Sequence, residues 1–168
     1  MRKAYSYARF STPGQAEGNS LERQLQIARD WHARVIAPSG IPLDESLGCD
    51  SGYSAFKGEH IEKGSLGQFL AEIKAGRITP GSILIAENLD RISRQGPKIA
   101  RKLLERIVDN GVDVHICNIN LQLTVGWENI FATSVLVDSE LSRAWKESTY
   151  RSERITDGWK RIQRDAAP

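Results

Sequence analysis

The chain has 168 residues, 40% hydrophobic and 26% charged, proportions that suit one compact soluble domain with a single core. Its 14 Gly and 6 Pro follow no period, which excludes a collagen-like or low-complexity chain, and no stretch approaches the roughly 20 apolar residues of a bilayer span. A formal charge of +2 is too mild to imply a nucleic-acid partner by itself.

The first residues, Met1 to Ser6, lack the apolar run of a secretory signal. Residues 3–9 read as a strand and run into the loop signal Ser11-Thr12-Pro13-Gly14-Gln15. Asn19 or Ser20 offers an N-cap, and Asn19 would place Glu22 in a capping box. Leu21, Leu25, Ala28 and Trp31 then predict a helix to about Arg34, with Val35-Ile36-Ala37 as a short strand. Residues 38–64 read as one long loop with a turn near Gly52.

Ser65 is expected to cap a helix carrying Leu66, Phe69, Leu70 and Ile73, with Gly76 ending it. The run Ser82-Ile83-Leu84-Ile85-Ala86 marks a strand covered on both faces. Pro97 opens a helix that ends at Gly111, and Val112–Ile116 forms the next strand, with a short last one within Asn120–Thr124. From Trp127 to about Gln163 one long helix is predicted, with an apolar first half (Ile130, Phe131, Val135, Leu136, Leu141) and a polar, basic second half. Between Arg143 and Asp165 seven Lys or Arg stand against four acids. A basic face of this kind can follow a phosphate backbone, or be merely solvated.

Strands alternating with helices predict an α/β fold with a mostly parallel sheet covered on both faces. Sites in such sheets lie beyond the carboxyl ends of the strands. Two polar clusters occupy that place: Tyr7 to Gln15 after the first strand, and Glu87 to Arg94 after the strand at 82–86. Ser11 is a hydroxyl in position to be a nucleophile, with no His nearby for a Ser-His-Asp relay. The neighbourhood supplies guanidinium groups instead: Arg9, Arg91 and Arg94. Their planar forks suit phosphate oxygens and would stabilise the extra charge of a pentacoordinate transition state. Asp90 could orient an arginine or relay a proton, and Gln15 could hold a phosphate oxygen or an arginine. The chemistry suggested is serine attack on a phosphodiester without a metal. Cys49 and Cys117 form no framework, as in a reducing cytosol, and His32, His60 and His115 show no metal-ligand spacing.

The pattern Tyr7-x-Arg9-x-Ser11-Thr12-x-x-Gln15, followed by Ser20-Leu21-Glu22-Arg23-Gln24, resembles the opening of serine recombinases: resolvases, invertases and large serine integrases. Leu89-Asp90-Arg91-Ile92-Ser93-Arg94 resembles their second signature, and Asp50-Ser51-Gly52-Tyr53-Ser54-Ala55 lies between the two, as that family's loop does. The resemblance implies a resolvase-like three-layer α/β/α fold with a long C-terminal helix. It divides the chain into a catalytic core, 1–126, and a dimerisation and DNA-contact helix, 127–168, cut before a further DNA-binding domain. It implies that Ser11 joins a DNA 5′ phosphate, with Arg9, Arg91 and Arg94 around that phosphate and Asp90 and Gln15 in support. Tyr7 and Ser54 match further active-site positions. Lys63 stands where the family usually carries Arg, keeping the charge and losing the fork.

Arg151, Arg154, Lys160, Arg161 and Arg164 are the expected DNA contacts, and Glu147, Ser148 and Arg154 resemble positions at subunit and DNA contacts. The implied partners are double-stranded DNA and a homodimer that pairs into a tetramer at synapsis. No cofactor, metal or membrane is implied, and the setting is cytoplasmic, bacterial or phage-encoded, at the nucleoid. Other classes make different demands. A catalytically idle relative would not need Arg9, Ser11, Asp90, Arg91 and Arg94 together. A nucleotide-binding domain would need a glycine-rich phosphate loop that is missing. A phosphate-ester hydrolase would pass the phosphoserine to water.

Overall fold

The computed structural model describes residues 1–10, 20–47, 49–51, 64–93 and 96–165. Strand β1 (Ala4–Phe10) is central to the sheet, with β2 (Leu43–Asp44), β3 (Cys49–Ser51) and β4 (Ser82–Ala86) all parallel to it. Beyond β4 lie β5 (Val112–Ile116), parallel, and β6 (Leu121–Leu123), the antiparallel edge. The order is β2-β1-β4-β5-β6, with β3 beside β1 past the end of β2. The α/β class and the mostly parallel sheet are as expected.

The pleat sorts each strand into two layers. Ala4, Ile83 and Ile85 face helix α1 (Ser20–Trp31) and form a smaller core with Ala28, Trp31, Ile36 and Ile41. On the other face Tyr7, Leu84, Ala86, Val112, Val114 and Ile116 meet α2 (Ser65–Lys74) and α4 (Pro97–Asp109). Five consecutive buried residues in β4 reflect cover on both sides. Gly111 ends the turn after α4 at φ +83°, where a Cβ would also stand 3.1 Å from Pro80 Cβ.

Several expectations need correction. Val35-Ile36-Ala37 is no strand: α1 continues through a wider π-helical turn, His32–Ile36, and a 3₁₀ turn, Ala37–Ser39. Apolar residues there face the core beside α1, so burial alone imitates a strand. The long loop at 38–64 contains β2 and β3, which exist because β1 offers them a pairing edge. Ser65 is the first residue of α2 and not its cap, since extended Gly64 precedes it. The last helix, α5, spans Phe131–Asp165 and starts four residues later than Trp127. A 3₁₀ turn, Trp127–Asn129, comes first, fixed by the buried Trp127 ring with the Arg101 guanidinium 4.9 Å from its centroid. The capping-box residue Asn19 lies outside the described residues.

Helix α5 has two kinds of surface. Val137, Leu141 and Ala144 are buried against the core, so of the apolar first half Leu141 faces inward. Ile130, Phe131, Val135 and Leu136 are exposed. The second half is basic as expected, and it also exposes Tyr150, Ile155, Trp159 and Ile162. No helix among the described residues is long and apolar enough to cross a membrane.

Candidate active site

Strands β1 and β4 run side by side with Tyr7 opposite Ala86, so both end at the same edge of the sheet. A single helical turn, α3 (Leu89–Ile92), follows β4 there, held by buried Leu89 and Ile92 between extended Asn88 and Ser93. So short a helix leaves its last carbonyls without helical partners. Arg9 supplies them. Its Nη2 donates to the Asp90 carbonyl at 2.8 Å and its Nε to the Arg91 carbonyl at 3.0 Å. The Arg9 backbone N–H donates to Gln24 Oε1 of α1 at 3.4 Å. Arg9 is only 1% exposed, so a cation sits in the interior and fixes the backbone of the turn.

Glu87, the first residue past β4, has a side chain only 3% exposed. Arg23 Nη1 of α1 lies 2.6 Å from its Oε1, and Arg91 Nε donates to its Oε2 at 3.3 Å. Arg91 Nη1 lies 3.4 Å from Asp90 Oδ2. The Asp90 carboxylate thus faces the Arg91 guanidinium. Ser93 is buried beside this turn, and Tyr7 is 2% exposed, packed in the larger core below it.

The other ionisable groups under the edge are poor catalysts. Burial pushes His115 down to about 4, and its Nδ1 accepts from Trp31 Nε1 at 3.1 Å, which requires a neutral ring. Burial, with the charge of Glu87 nearby, pushes the Cys117 thiol up to about 12. At neutral pH neither a free imidazole base nor a thiolate is on offer from these two residues.

α5 passes the same edge. Asp90 and, on the helix, Ala144, Glu147, Ser148 and Arg151 line a cavity of about 30 Å³. An open groove along the helix continues past Tyr150, Arg154 and Ile155. Arg143 is held by Glu140 and Glu147 at 2.5 and 2.8 Å. Further along, Arg151, Arg154, Lys160 and Arg164 are exposed.

Of the expected site residues, the structure brings Arg9, Asp90 and Arg91 together and places Tyr7 beneath them. Ser11, Gln15, Ser54, Lys63 and Arg94 lie outside the described residues, as does the side chain of Arg161. Gln24, Arg23 and Glu87 also meet at this edge and are not among the expected site residues. For Glu87 a signal existed: an acid directly after five apolar-run residues, where a strand end would bury it.

The family described as "Resolvase, N terminal domain" matches residues 4–165. "Uncharacterized protein YbcK" of Escherichia coli (strain K12) is 36% identical over 166 residues, covering 99% of this chain. The chain spans about a third (32%) of that relative's length. Among solved structures, the N-terminal catalytic domain of TP901-1 integrase superposes with a TM-score of 0.58 at 19% identity, covering 90% of this chain and 98% of that one. A resolvase family site-specific recombinase from Streptococcus pneumoniae gives 0.56 at 20% identity, covering 99% and 100%. At these identities the two structures speak for the fold, a resolvase-like α/β sheet with a long C-terminal helix. With the family match running from the first strand to the end of α5, the chain belongs to the resolvase N-terminal domain family.

Proposed function

We propose that this chain is the catalytic domain of a site-specific DNA recombinase that cuts and rejoins strands through a phosphoserine intermediate. One observation carries the reading: Arg9, Asp90 and Arg91 converge at the carboxyl edge of the sheet, and Ser11 is the next residue but one after Arg9 in sequence. Ser11 Oγ attacks a DNA phosphorus, forming the 5′-phosphoserine bond as the bond to the 3′ oxygen breaks. The serine proton leaves through the polar groups of the site, and the 3′ oxygen departs as a hydroxyl. One phosphodiester becomes another, so the step reverses without ATP. Arg91, Arg9 and Arg94 carry the transition-state charge, with Lys63 as a further point charge. Gln15, Tyr7 and Ser54 complete the phosphate's surroundings.

In this reading residues 1–126 form the catalytic core. Residues 127–168 serve subunit pairing and DNA contact through Arg151, Arg154, Lys160, Arg161 and Arg164. Dimers pair into a tetramer at synapsis, in a bacterial or phage-encoded, cytoplasmic and nucleoid-associated setting. The reading is tested without a known target site. The full-length protein is expressed in cells, lysed in denaturant and captured, and covalently attached DNA is sequenced. Wild type is expected to retain DNA joined at 5′ ends, and Ser11→Ala none. DNA bound natively with no covalent fraction in wild type would instead make the chain an idle, DNA-binding relative.

A further inference from the structure

We propose that Glu87 is a positioning residue for Arg91: its buried carboxylate clamps the guanidinium through Nε and, with Arg23 closing its other oxygen, aims the remaining donors at the substrate phosphate. The proposal rests on the recombinase reading for the identity of the phosphate. The clamp itself stands on geometry. Position 87 continues β4, all five of whose residues are buried, so an apolar side chain would fit there at no electrostatic cost. A buried ion pair is commonly no more stabilising than apolar residues of the same size. Stability alone therefore does not account for an acid at this point.

Its contacts do. Arg91 has five N–H donors in one plane. Glu87 Oε2 takes Nε at 3.3 Å and Asp90 Oδ2 faces Nη1 at 3.4 Å, which sets the orientation of the plane. Neither contact uses Nη2. Arg9 meanwhile fixes the backbone from which Arg91 projects, through the carbonyls of residues 90 and 91. Backbone and side chain are thus held by different groups, Arg9 of β1 and Glu87 just past β4. Arg23, more than half exposed on α1, neutralises Glu87 Oε1 at 2.6 Å. The shared carboxylate lets two guanidinium groups approach one site that would otherwise repel each other.

The test uses the full chain labelled with ¹⁵N-arginine, and the Arg91 Nε–H signal is assigned by its loss in Arg91→Lys. In wild type that proton is expected to exchange with water about tenfold more slowly than the exposed arginines, and in Glu87→Gln or Glu87→Ala to lose most of that protection. On a duplex recovered as above, Glu87→Gln is expected to slow adduct formation about 10–10²-fold with duplex affinity unchanged, as misplacement of a catalytic group does. Arg23→Ala should lose part of the rate and Arg23→Lys restore most of it. Glu87→Gln cleaving at the wild-type rate, or an Arg91 proton that stays protected without the carboxylate, overturns the proposal. If wild type itself forms no adduct, the recombinase reading falls, and the exchange measurement alone decides whether Glu87 holds Arg91.

Discussion

The carboxyl edge of the sheet and the distal half of α5 both gather arginines, and they hold them in opposite ways. At the edge, Arg9 is buried on two backbone carbonyls and Arg91 faces two carboxylates. On the distal helix, Arg151, Arg154, Lys160 and Arg164 are exposed, and none of them is in an ion pair among the described residues. The transition between the regimes falls near Arg143, which Glu140 and Glu147 still hold. A guanidinium fixed in advance costs no reorganisation when charge develops and so serves a rate. A mobile, hydrated one serves affinity through counterion release, whatever the DNA sequence. Substitutions in the two regions should therefore fail differently.

The largest effect is expected at the edge. Arg91→Ala should lower the rate of adduct formation by about 10²–10³-fold while leaving duplex affinity nearly unchanged. Arg9→Ala should lose a similar rate and also stability, because two part-buried carbonyls lose their donors at a cost of about 1 kcal/mol each. Chemical denaturation should show a lowered midpoint in both variants, because Arg91→Ala takes the Nε donor from the buried Glu87 carboxylate.

The next effect sharpens the contrast through pH. His115 has a folded value of about 4 against an ordinary 6.5, and the unfolded chain takes up the proton first. Its contribution to stability is therefore complete above pH 6.5 and is lost as pH falls toward 4. The full loss is on the order of 3 kcal/mol, since each tenfold change in proton affinity is worth about 1.4 kcal/mol. Denaturation midpoints between pH 7 and 4 should show the decline, and His115→Phe should flatten it. α5 carries no histidine past Arg143, so the decline should be the same in variants of the distal cations.

A smaller effect concerns the exposed apolar side of α5. Phe131 is 83% exposed and Val135 half exposed, whereas Leu141 is buried. Phe131→Ser with Val135→Ser should weaken self-association seen by light scattering at high concentration and leave the fold intact. Leu141→Ala should instead destabilise the fold by about 2–5 kcal/mol. The smallest effect belongs to the distal cations. Changing Arg151 and Arg154 to Gln should flatten the slope of log K against log[salt] by about 2, near 0.9 for each phosphate neutralised, with no change in cleavage rate once the duplex is saturated.

Much of this was legible in the sequence where elements are long and periodic. The strand at 82–86, the helix opened by Pro97 and the strand at 112–116 all fall where apolar spacing and glycine punctuation put them. Strands β2 and β3, of two and three residues, carry no period of their own and exist through pairing with β1. The single turn α3 is likewise fixed from outside, by Leu89 and Ile92 in the core and by Arg9 on its carbonyls. For the candidate site, the placement of Arg9, Asp90 and Arg91 at one edge of the sheet was legible from position. That Arg9 would also hold the backbone of the turn was not, because nothing local reveals where residues 90 and 91 lie relative to β1. Glu87 read as one more polar residue in a polar stretch, and only the shared edge of β1, β4 and α1 turns it into a clamp.

In the proposed reaction arginine charge, and a serine beside it, perform the chemistry. The direct measurement is to digest the denatured protein–DNA adduct with nuclease and protease and locate the nucleotide on the peptide by mass spectrometry. The account predicts a 5′-linked nucleotide on Ser11, formed at the same rate with and without EDTA. A nucleotide on another residue, a 3′ linkage, or an adduct abolished by EDTA would contradict it.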